Sequence, residues 1–224
     1  MTTVLERWNH TATAPSRELI LPDGCRDLIL VAAPGQRPDC FVSELQAAPR
    51  MAEIAAGARM TGFRLKPGTM VDAAPLLTRV AASGCDPEDA SALLAEHTAR
   101  PPVLAEAIHS LEAADSASVA RAARRIGLGL RSLQRLFRDH DLPPPGFWLQ
   151  LARARRAAAA LAPQVPLSDL AADAGYADQA HMTRAFRRWF AISPARLQHD
   201  AGRRHLLRQS GLAVPLTGEQ ISIR

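Results

Sequence analysis

The stretch "GYADQAHMTRAFRRWF" (175–190) predicts a helix that begins at about Gln179. Its apolar residues recur at i, i+4, i+7 and i+8, a spacing that places them on one helical face. These residues are Met182, Phe186, Trp189 and Phe190. The other face carries Ala180, Thr183, Arg184, Arg187 and Arg188. Taken alone, such a basic face is more typical of a solvated helix than of a binding surface.

An earlier stretch, "IGLGLRSLQRLF" (126–137), repeats this pattern. In both copies we expect a helix to end at a glycine, Gly127 or Gly175, because glycine accommodates the left-handed conformation that closes many helices. A second helix then begins within about four residues, which is the arrangement of a helix-turn-helix unit. With an offset of 49 residues, Leu133, Arg135 and Phe137 correspond to Met182, Arg184 and Phe186.

The exposed faces of the two predicted second helices suit DNA recognition. Arginine can donate two hydrogen bonds to guanine, and glutamine can pair with adenine through two hydrogen bonds. In the first copy the exposed set is spaced i, i+3, i+4 and i+7 and comprises Arg131, Gln134, Arg135 and Arg138. Residues near the start of each helix are expected to face bases, and later arginines to meet phosphates. A linker helix at 147–161, about 22 Å long, would hold both helices for successive major-groove segments about 34 Å apart.

The charge distribution supports a polyanionic partner for the second half only. Residues 1–114 carry 10 Lys and Arg against 14 Asp and Glu, a net charge of −4. Residues 115–224 carry 17 against 8, a net charge of +9. Because codon bias towards arginine would affect both halves, this asymmetry suggests that only the second half meets a polyanion.

Residues 116–199 resemble the DNA-binding domain of AraC/XylS-family transcription regulators, in which a linker helix joins two helix-turn-helix units. The similarity is carried by "GLGLRSLQRLFR" and by "LSDLAADAGYADQAHMTRAFRRWFAISPARLQ". The resemblance implies base contacts by Arg131, Gln134, Arg135, Gln179, Ala180, Thr183 and Arg184. It is compatible with phosphate contacts by Arg138, Arg187 and Arg188.

Some positions depart from the family pattern. Gly129 stands where a capping serine is common, at a cost of a few tenths of a kcal/mol. Asp141 and Ala191 stand where the family often has a helix-ending glycine. Since alanine tolerates the left-handed conformation poorly, we expect the turn after the second recognition helix to differ. Ala180 can offer only an apolar contact, for example to a thymine methyl group.

The first half is expected to be a small β-rich domain followed by a helical connector. "RELILPDGCRDLILV" (17–31) has two apolar runs around a Pro-Asp-Gly turn signal and predicts a β-hairpin. "CFVSEL" and "MTGFRLKPG" are further strand candidates, and helices are expected from about Pro87. The predicted fold class is therefore α+β. The predicted domains are 1–114, a β-rich sensor or oligomerisation domain with its connector; 115–200, the double helix-turn-helix domain; and 201–224, a C-terminal extension.

The sequence thus predicts a non-enzymatic, sequence-specific transcription regulator, expected to be an activator that binds double-stranded DNA and contacts RNA polymerase. A small-molecule effector in the N-terminal domain and a homodimer stay open. One alternative is a DNA-targeted enzyme of the alkyl-transfer type with a catalytic N-terminal half. Another is a DNA binder indifferent to sequence, which the Gln and Arg placement disfavours.

No motif points to catalysis, a cofactor or a metal. Cys25, Cys40 and Cys85 lack the spacing of a zinc site or disulfide framework. Asp23, Cys25 and Asp27 alternate, but we interpret them as a turn aspartate, a buried cysteine and a solvated aspartate. The first twenty residues lack a signal-peptide pattern, and no apolar run reaches the length of a membrane span, so a cytoplasmic location is expected.

Overall fold

The computed structural model describes residues 2–113 and 117–214. The fold is mixed α+β, with a β-rich part followed by helices. The first part comprises β1 (Val4–Thr11), β2 (Ser16–Ile20), β3 (Asp27–Ala32), β4 (Asp39–Val42), β5 (Arg50–Ile54), β6 (Arg59–Leu65), β7 (Met70–Val71), α1 (Ala73–Ala82), α2 (Pro87–His97) and β8 (Thr98–Ala99). A four-stranded antiparallel sheet has the order β1-β6-β3-β4, and β2 pairs with β5 and β7 with β8 as separate two-stranded sheets.

The four-stranded sheet has two different faces, because alternate side chains of a strand point to opposite sides. One face packs against α1 and α2 and forms a compact core. Its members include Leu28, Leu30, Phe63, Leu65, Leu76, Val80 and Leu94, all almost fully buried. The opposite face, which carries Trp8, Ile29 and Met60, lines a cavity together with residues of β2 and β5.

The predicted hairpin at 17–31 is wrong, although both of its strands and its turn exist. Strand β2 pairs with β5, with Leu19 opposite Met51, whereas β3 pairs with β4 and β6. The Asp23 carboxylate accepts a hydrogen bond from the Cys25 N–H (2.9 Å), and Gly24 adopts a left-handed φ of 79°. The turn therefore redirects the chain into a second sheet instead of back along the same one.

The second part is helical. It comprises α3 (Pro102–Glu112), α4 (Val119–Arg125), α5 (Leu130–Arg138), α6 (Pro145–Ala160), α7 (Leu167–Asp173), α8 (Gln179–Phe190), α9 (Pro194–Leu197) and α10 (Ala201–Leu207). The predicted linker helix and the helix predicted from about Gln179 are confirmed, since α6 begins two residues before the expected residue 147 and α8 begins at Gln179. Six elements were not predicted: β1, β5, β7, β8, α1 and α10.

Helix α3 shares its core with the helices that follow it. Leu104, Ala107, Ile108 and Leu111 are buried in the same cluster as the apolar faces of α4 to α8. The expected domain boundary falls on residues 114–116, which lie outside the described residues, as do residues 215–224 of the expected extension. The division at 114 and 200 therefore stays a prediction.

A buried arginine connects the two parts of the chain. Arg155 of α6 is only 1% exposed, and its guanidinium donates to the carbonyl oxygens of Leu212 (3.0 Å), Gln209 (2.6 Å) and Pro22 (3.5 Å). The Leu212 N–H in turn donates to the Asp23 carbonyl (2.8 Å). The segment 209–214, which we call the C-terminal strap, thereby ties the β-rich part to α6.

Candidate nucleic-acid interface

The first helix-turn-helix unit is formed by α4 and α5. The Ser118 hydroxyl caps α4 by accepting from the Arg121 N–H (3.2 Å). After α4, Gly127 takes a left-handed φ of 70°, and its N–H donates to the Arg124 carbonyl (3.1 Å). Helix α5 begins at Leu130 behind Gly129, which provides no side-chain cap. The sharp turn therefore depends on a glycine at the position expected from the sequence.

The second unit, formed by α7 and α8, repeats this geometry. Gly175 has a left-handed φ of 72°, and its N–H donates to the Ala172 carbonyl (3.0 Å). Here the second helix is better capped, because the Asp178 carboxylate accepts from the His181 N–H (2.6 Å). A carboxylate at this position also interacts favourably with the helix dipole.

Helix α5 is anchored by its apolar face and exposes its polar one. Leu133 and Phe137 are fully buried, and Leu136 is half-buried against the same core. The side chains predicted to meet DNA are all on the exposed face: Arg131, Gln134, Arg135 and Arg138. Their nearest ionic contact in the structure is a loose one, 3.9 Å between Arg138 Nε and Asp139 Oδ1.

Helix α8 shows the same division. Met182, Phe186, Trp189 and Phe190 are at most 1% exposed, as the apolar spacing predicts. Gln179, Ala180, Arg184, Arg187 and Arg188 are exposed, and Thr183 is half-buried. Arg188 differs from the others because it has partners within the protein. Its Nη1 donates to Gln150 Oε1 (3.2 Å), and its guanidinium lies 4.8 Å from the Trp189 ring.

Helix α6 is the common support for both units. It contains 16 residues, so it is about 24 Å long. Trp148 contacts the Phe137 ring of α5 with centroids 6.1 Å apart, and Phe147 contacts the Trp189 ring of α8 at 5.4 Å in an edge-to-face arrangement. Because aromatic pairs of this kind are large and directional, both second helices are fixed to one rigid element.

The turn after α8 differs from what the sequence suggested. Ala191 adopts the left-handed conformation, with φ 53° and ψ 26°, and its N–H donates to the Arg187 carbonyl (3.1 Å). The expectation of an altered turn is therefore wrong. The helix closes with the usual geometry despite a side chain that disfavours it, and the buried neighbours Phe190 and Ile192 hold the chain in place.

Two features near the N-terminal turn were missed in the sequence. Asp27 is 8% exposed, so the interpretation as a solvated aspartate is wrong; it accepts from Trp8 Nε1 (2.8 Å) and pairs with Arg64. Burial raises the pKa of the Asp27 carboxyl, against the opposing effect of Arg64. Arg155, seven residues after buried Trp148, lies on the same face of α6, and this spacing was the available signal.

The cysteines have no reactive surroundings. All three are free and buried. Burial raises the pKa of the Cys25 thiol well above its ordinary value, and burial together with neighbouring Cys85 raises the pKa of Cys40 to about 11. Among the described residues, no group of three or more His, Cys, Asp and Glu side chains is arranged to hold a metal ion. None of the helices in the described ranges has the length and hydropathy needed to cross a membrane.

Comparisons with known proteins find a family model and a solved structure that are similar to part of this chain. Residues 122–200 match the family model described as "Helix-turn-helix domain", which is of the AraC type. A crystal structure of a transcriptional regulator from Chromobacterium violaceum, described as an AraC-type DNA-binding domain-containing protein, is 25% identical. That match covers 44% of this chain and 90% of the other, with a TM-score of 0.37. A search of curated proteins finds no match. Residues 122–200 therefore form a helix-turn-helix domain of the AraC type.

Proposed function

We propose that this protein is a sequence-specific transcription regulator whose helices α5 and α8 read two successive major-groove segments of one asymmetric site. The observation that carries the proposal is the repeated division of the two helices into a buried apolar face and an exposed Arg- and Gln-bearing face. Their common attachment to α6 supports simultaneous binding, because a rigid support removes part of the ordering cost of binding.

The proposed base contacts follow from position along each helix. Side chains in the first turns of a recognition helix are the ones that reach base edges. This assigns base contacts to Arg131, Gln134, Arg135, Gln179, Ala180, Thr183 and Arg184. Phosphate contacts are assigned to Arg138, Arg187 and Arg188, with Arg188 giving up its contact to Gln150 when it reaches the backbone.

The regulatory role rests on the resemblance to the AraC/XylS family. We expect an activator that contacts RNA polymerase and acts in the cytoplasm. The β-rich part would bind a small-molecule effector or a second copy of the chain. The alkyl-transfer alternative requires a reactive cysteine. Burial and the raised pKa of Cys25 disfavour that alternative, since the thiolate is the nucleophilic form.

The test is selection of binding sites from random DNA, followed by affinity measurements on variants. Arg135→Ala and Arg184→Ala should each lower the affinity for the selected site by about 1–3 kcal/mol and relax the preference at one base. The loss arises because each arginine would contact one base edge in the proposed complex.

Arg138→Ala and Arg187→Ala are the matched controls. Each removes an exposed arginine from the same helices, so net charge falls equally in all four variants. These two should weaken binding to all sequences alike. They should also reduce the slope of log affinity against log salt concentration by about 1. The base-contact assignment fails if Arg135→Ala and Arg184→Ala also weaken all sequences alike, or if they bind like the unmodified protein.

A further inference from the structure

The β-rich part encloses a cavity of about 640 Å³. Its walls are the uncovered face of the four-stranded sheet, strands β2 and β5, and three residues of the helical part, Arg155, Leu206 and Gln209. Protein interiors are close-packed, with few voids larger than a water molecule, so packing alone does not explain this space. Its volume is in the range of small-molecule sites.

The cavity contains a fixed aromatic surface. The Trp8 indole lies across Gly62, where a Cβ atom would come within 2.0 Å of Trp8 Cε2. The indole N–H donates to Asp27 Oδ1 (2.8 Å), which holds the ring in one orientation. Glycine at residue 62 is therefore required for the ring to occupy this place, and the ring is ordered before any ligand arrives.

The entrance is apolar and exposed. Phe41 and Met51 both line the cavity, and both expose more than 40% of their surface. Large apolar side chains that stay exposed beside a concave site are typical of small-molecule binding. An apolar ligand body could bury both side chains on entry.

The charged groups of the lining are mainly acidic. Three arginines line the cavity, namely Arg50, Arg64 and Arg155. Six carboxylates line it: Glu6, Glu18, Asp23, Asp27, Glu44 and Glu53. The net charge of the lining is −3 when all of these groups are ionised.

The two buried arginines are already engaged. Arg64 pairs with Glu6 (3.3 Å), Asp23 (3.4 Å) and Asp27 (3.4 Å). Burial lowers the pKa of the Arg64 guanidinium, but these carboxylates raise it by more. Arg155 donates to backbone carbonyls. Neither guanidinium is therefore available to an anionic ligand. The remaining lining arginine, Arg50, is exposed and stands against Glu18, Glu44 and Glu53, of which Glu53 lies 3.7 Å from Arg17, so the lining keeps an excess of negative charge.

We propose that this cavity binds a hydrophobic organic cation, with an aromatic or branched aliphatic body and an ammonium or amidinium group. The body occupies the apolar space between Trp8, Ile29 and Met51. The cation is attracted by the acidic lining and by the face of the Trp8 ring. This ligand class deepens the proposed regulatory function and rests on it, because the ligand would touch Arg155 of α6 and so reach the support of both recognition helices.

The test compares three probes of one shape and different charge by isothermal titration calorimetry on the full chain near neutral pH. The probes are 2-naphthylmethylammonium, neutral 2-naphthylmethanol and the anion 2-naphthoate. We expect the cation to bind at least tenfold more tightly than either of the others. Equal affinities, a preference for naphthoate, or no binding of the cation would overturn the proposal.

Variants at the cavity locate the site. Met51→Lys removes an apolar contact that both probes share and adds a positive charge that repels only the cation, so it should weaken binding of the cation at least fivefold more than binding of the neutral alcohol. Glu18→Gln removes a lining carboxylate and should act in the same direction. Glu106→Gln is the control, because Glu106 is exposed on α3 away from the cavity. If Met51→Lys and Glu18→Gln both bind the cation as tightly as the unmodified chain and the Glu106→Gln control do, the cation lies elsewhere and the proposal fails.

Trp8→Leu examines the aromatic surface, and its folding is checked by circular dichroism. This substitution should weaken binding of the cation more than binding of the neutral alcohol, since only the cation is attracted electrostatically by the face of the indole ring. DNA affinity is measured separately without probe. Failure of probe binding with intact specific DNA binding overturns this ligand class alone, whereas loss of DNA specificity with intact probe binding overturns the regulator proposal alone.

Discussion

Arg155 shows how one side chain can join two parts of a protein. It sits in the alanine-rich sequence "LARARRAAAA", where arginine would ordinarily be placed on a solvated face. Its flanking neighbours on α6, Arg153 and Arg156, are half-exposed, whereas Arg155 is buried. Burial lowers the pKa of its guanidinium, and nearby Asp23 opposes that effect. This buried charge is tolerated because the guanidinium N–H groups donate hydrogen bonds to backbone carbonyls.

We predict that Arg155→Met lowers the free energy of unfolding by about 3 kcal/mol, because carbonyls of the strap and of Pro22 lose a charged donor while remaining buried. Urea denaturation followed by circular dichroism measures the effect. Arg153→Met on the same helix is the control; it removes one hydrogen bond to Ala117 and a ring contact, and should cost about 1 kcal/mol. Equal losses in the two variants would contradict a special role for Arg155.

At the scale of the element, helix ends carry backbone strain in this protein. Gly127 and Gly175 meet the left-handed requirement without a Cβ, but Ala191 closes α8 with a φ of 53°. A left-handed alanine is disfavoured by about 1 kcal/mol. Helix α8 is therefore terminated at a small cost that its buried face offsets.

Reciprocal substitutions test this account. Ala191→Gly should raise the free energy of unfolding by about 0.5–1 kcal/mol, because the strain is relieved. Gly175→Ala should lower it by about 1 kcal/mol, since nothing lies within 4 Å of the added Cβ and only the backbone conformation changes. Thermal denaturation of both variants shows whether each substitution stabilises or destabilises the fold. A change in the same direction for the two would show that φ is not the cause.

The helical elements were predictable because their signals are local. The apolar spacing of Met182, Phe186 and Trp189 depends on one stretch of chain, and the structure buries these residues as expected. Strand pairing is not local. Leu19 lies opposite Met51, 32 residues away, and no pattern within 17–31 reveals that partner. The hairpin prediction therefore failed even though its strands were correctly placed.

At the scale of the whole molecule, the C-terminal strap holds the two parts together. The Ser210 carbonyl accepts from Arg64 (3.1 Å), and its hydroxyl donates to Glu6 in β1. Leu212 is fully buried and packs against Gly24, where an added Cβ would come within 2.8 Å of the leucine. The cavity depends on this assembly, since its wall includes Arg155 and Gln209. No single stretch of sequence encodes the distance between two sheets.

We predict that a chain ending at Arg208 has a lower melting temperature than a chain ending at Val214, because only the shorter one loses the strap. Its free energy of unfolding should fall by more than the loss from Arg155→Met, as the Leu212 contacts disappear as well. Differential scanning calorimetry compares the two chains directly, and the longer one is the matched reference. Identical melting curves would show that the strap does not join the parts.

The strap also bears on how the chain matures during synthesis. The carbonyls that receive Arg155 belong to Pro22, near the beginning of the chain, and to Gln209 and Leu212, close to its end. Both sheets and α6 are translated before those last acceptors exist, since synthesis runs from the N-terminus. The guanidinium can be fully satisfied only after residue 212 has left the ribosome. Joining of the β-rich part to the helical part is thus a late event, which must wait until the strap has been synthesised.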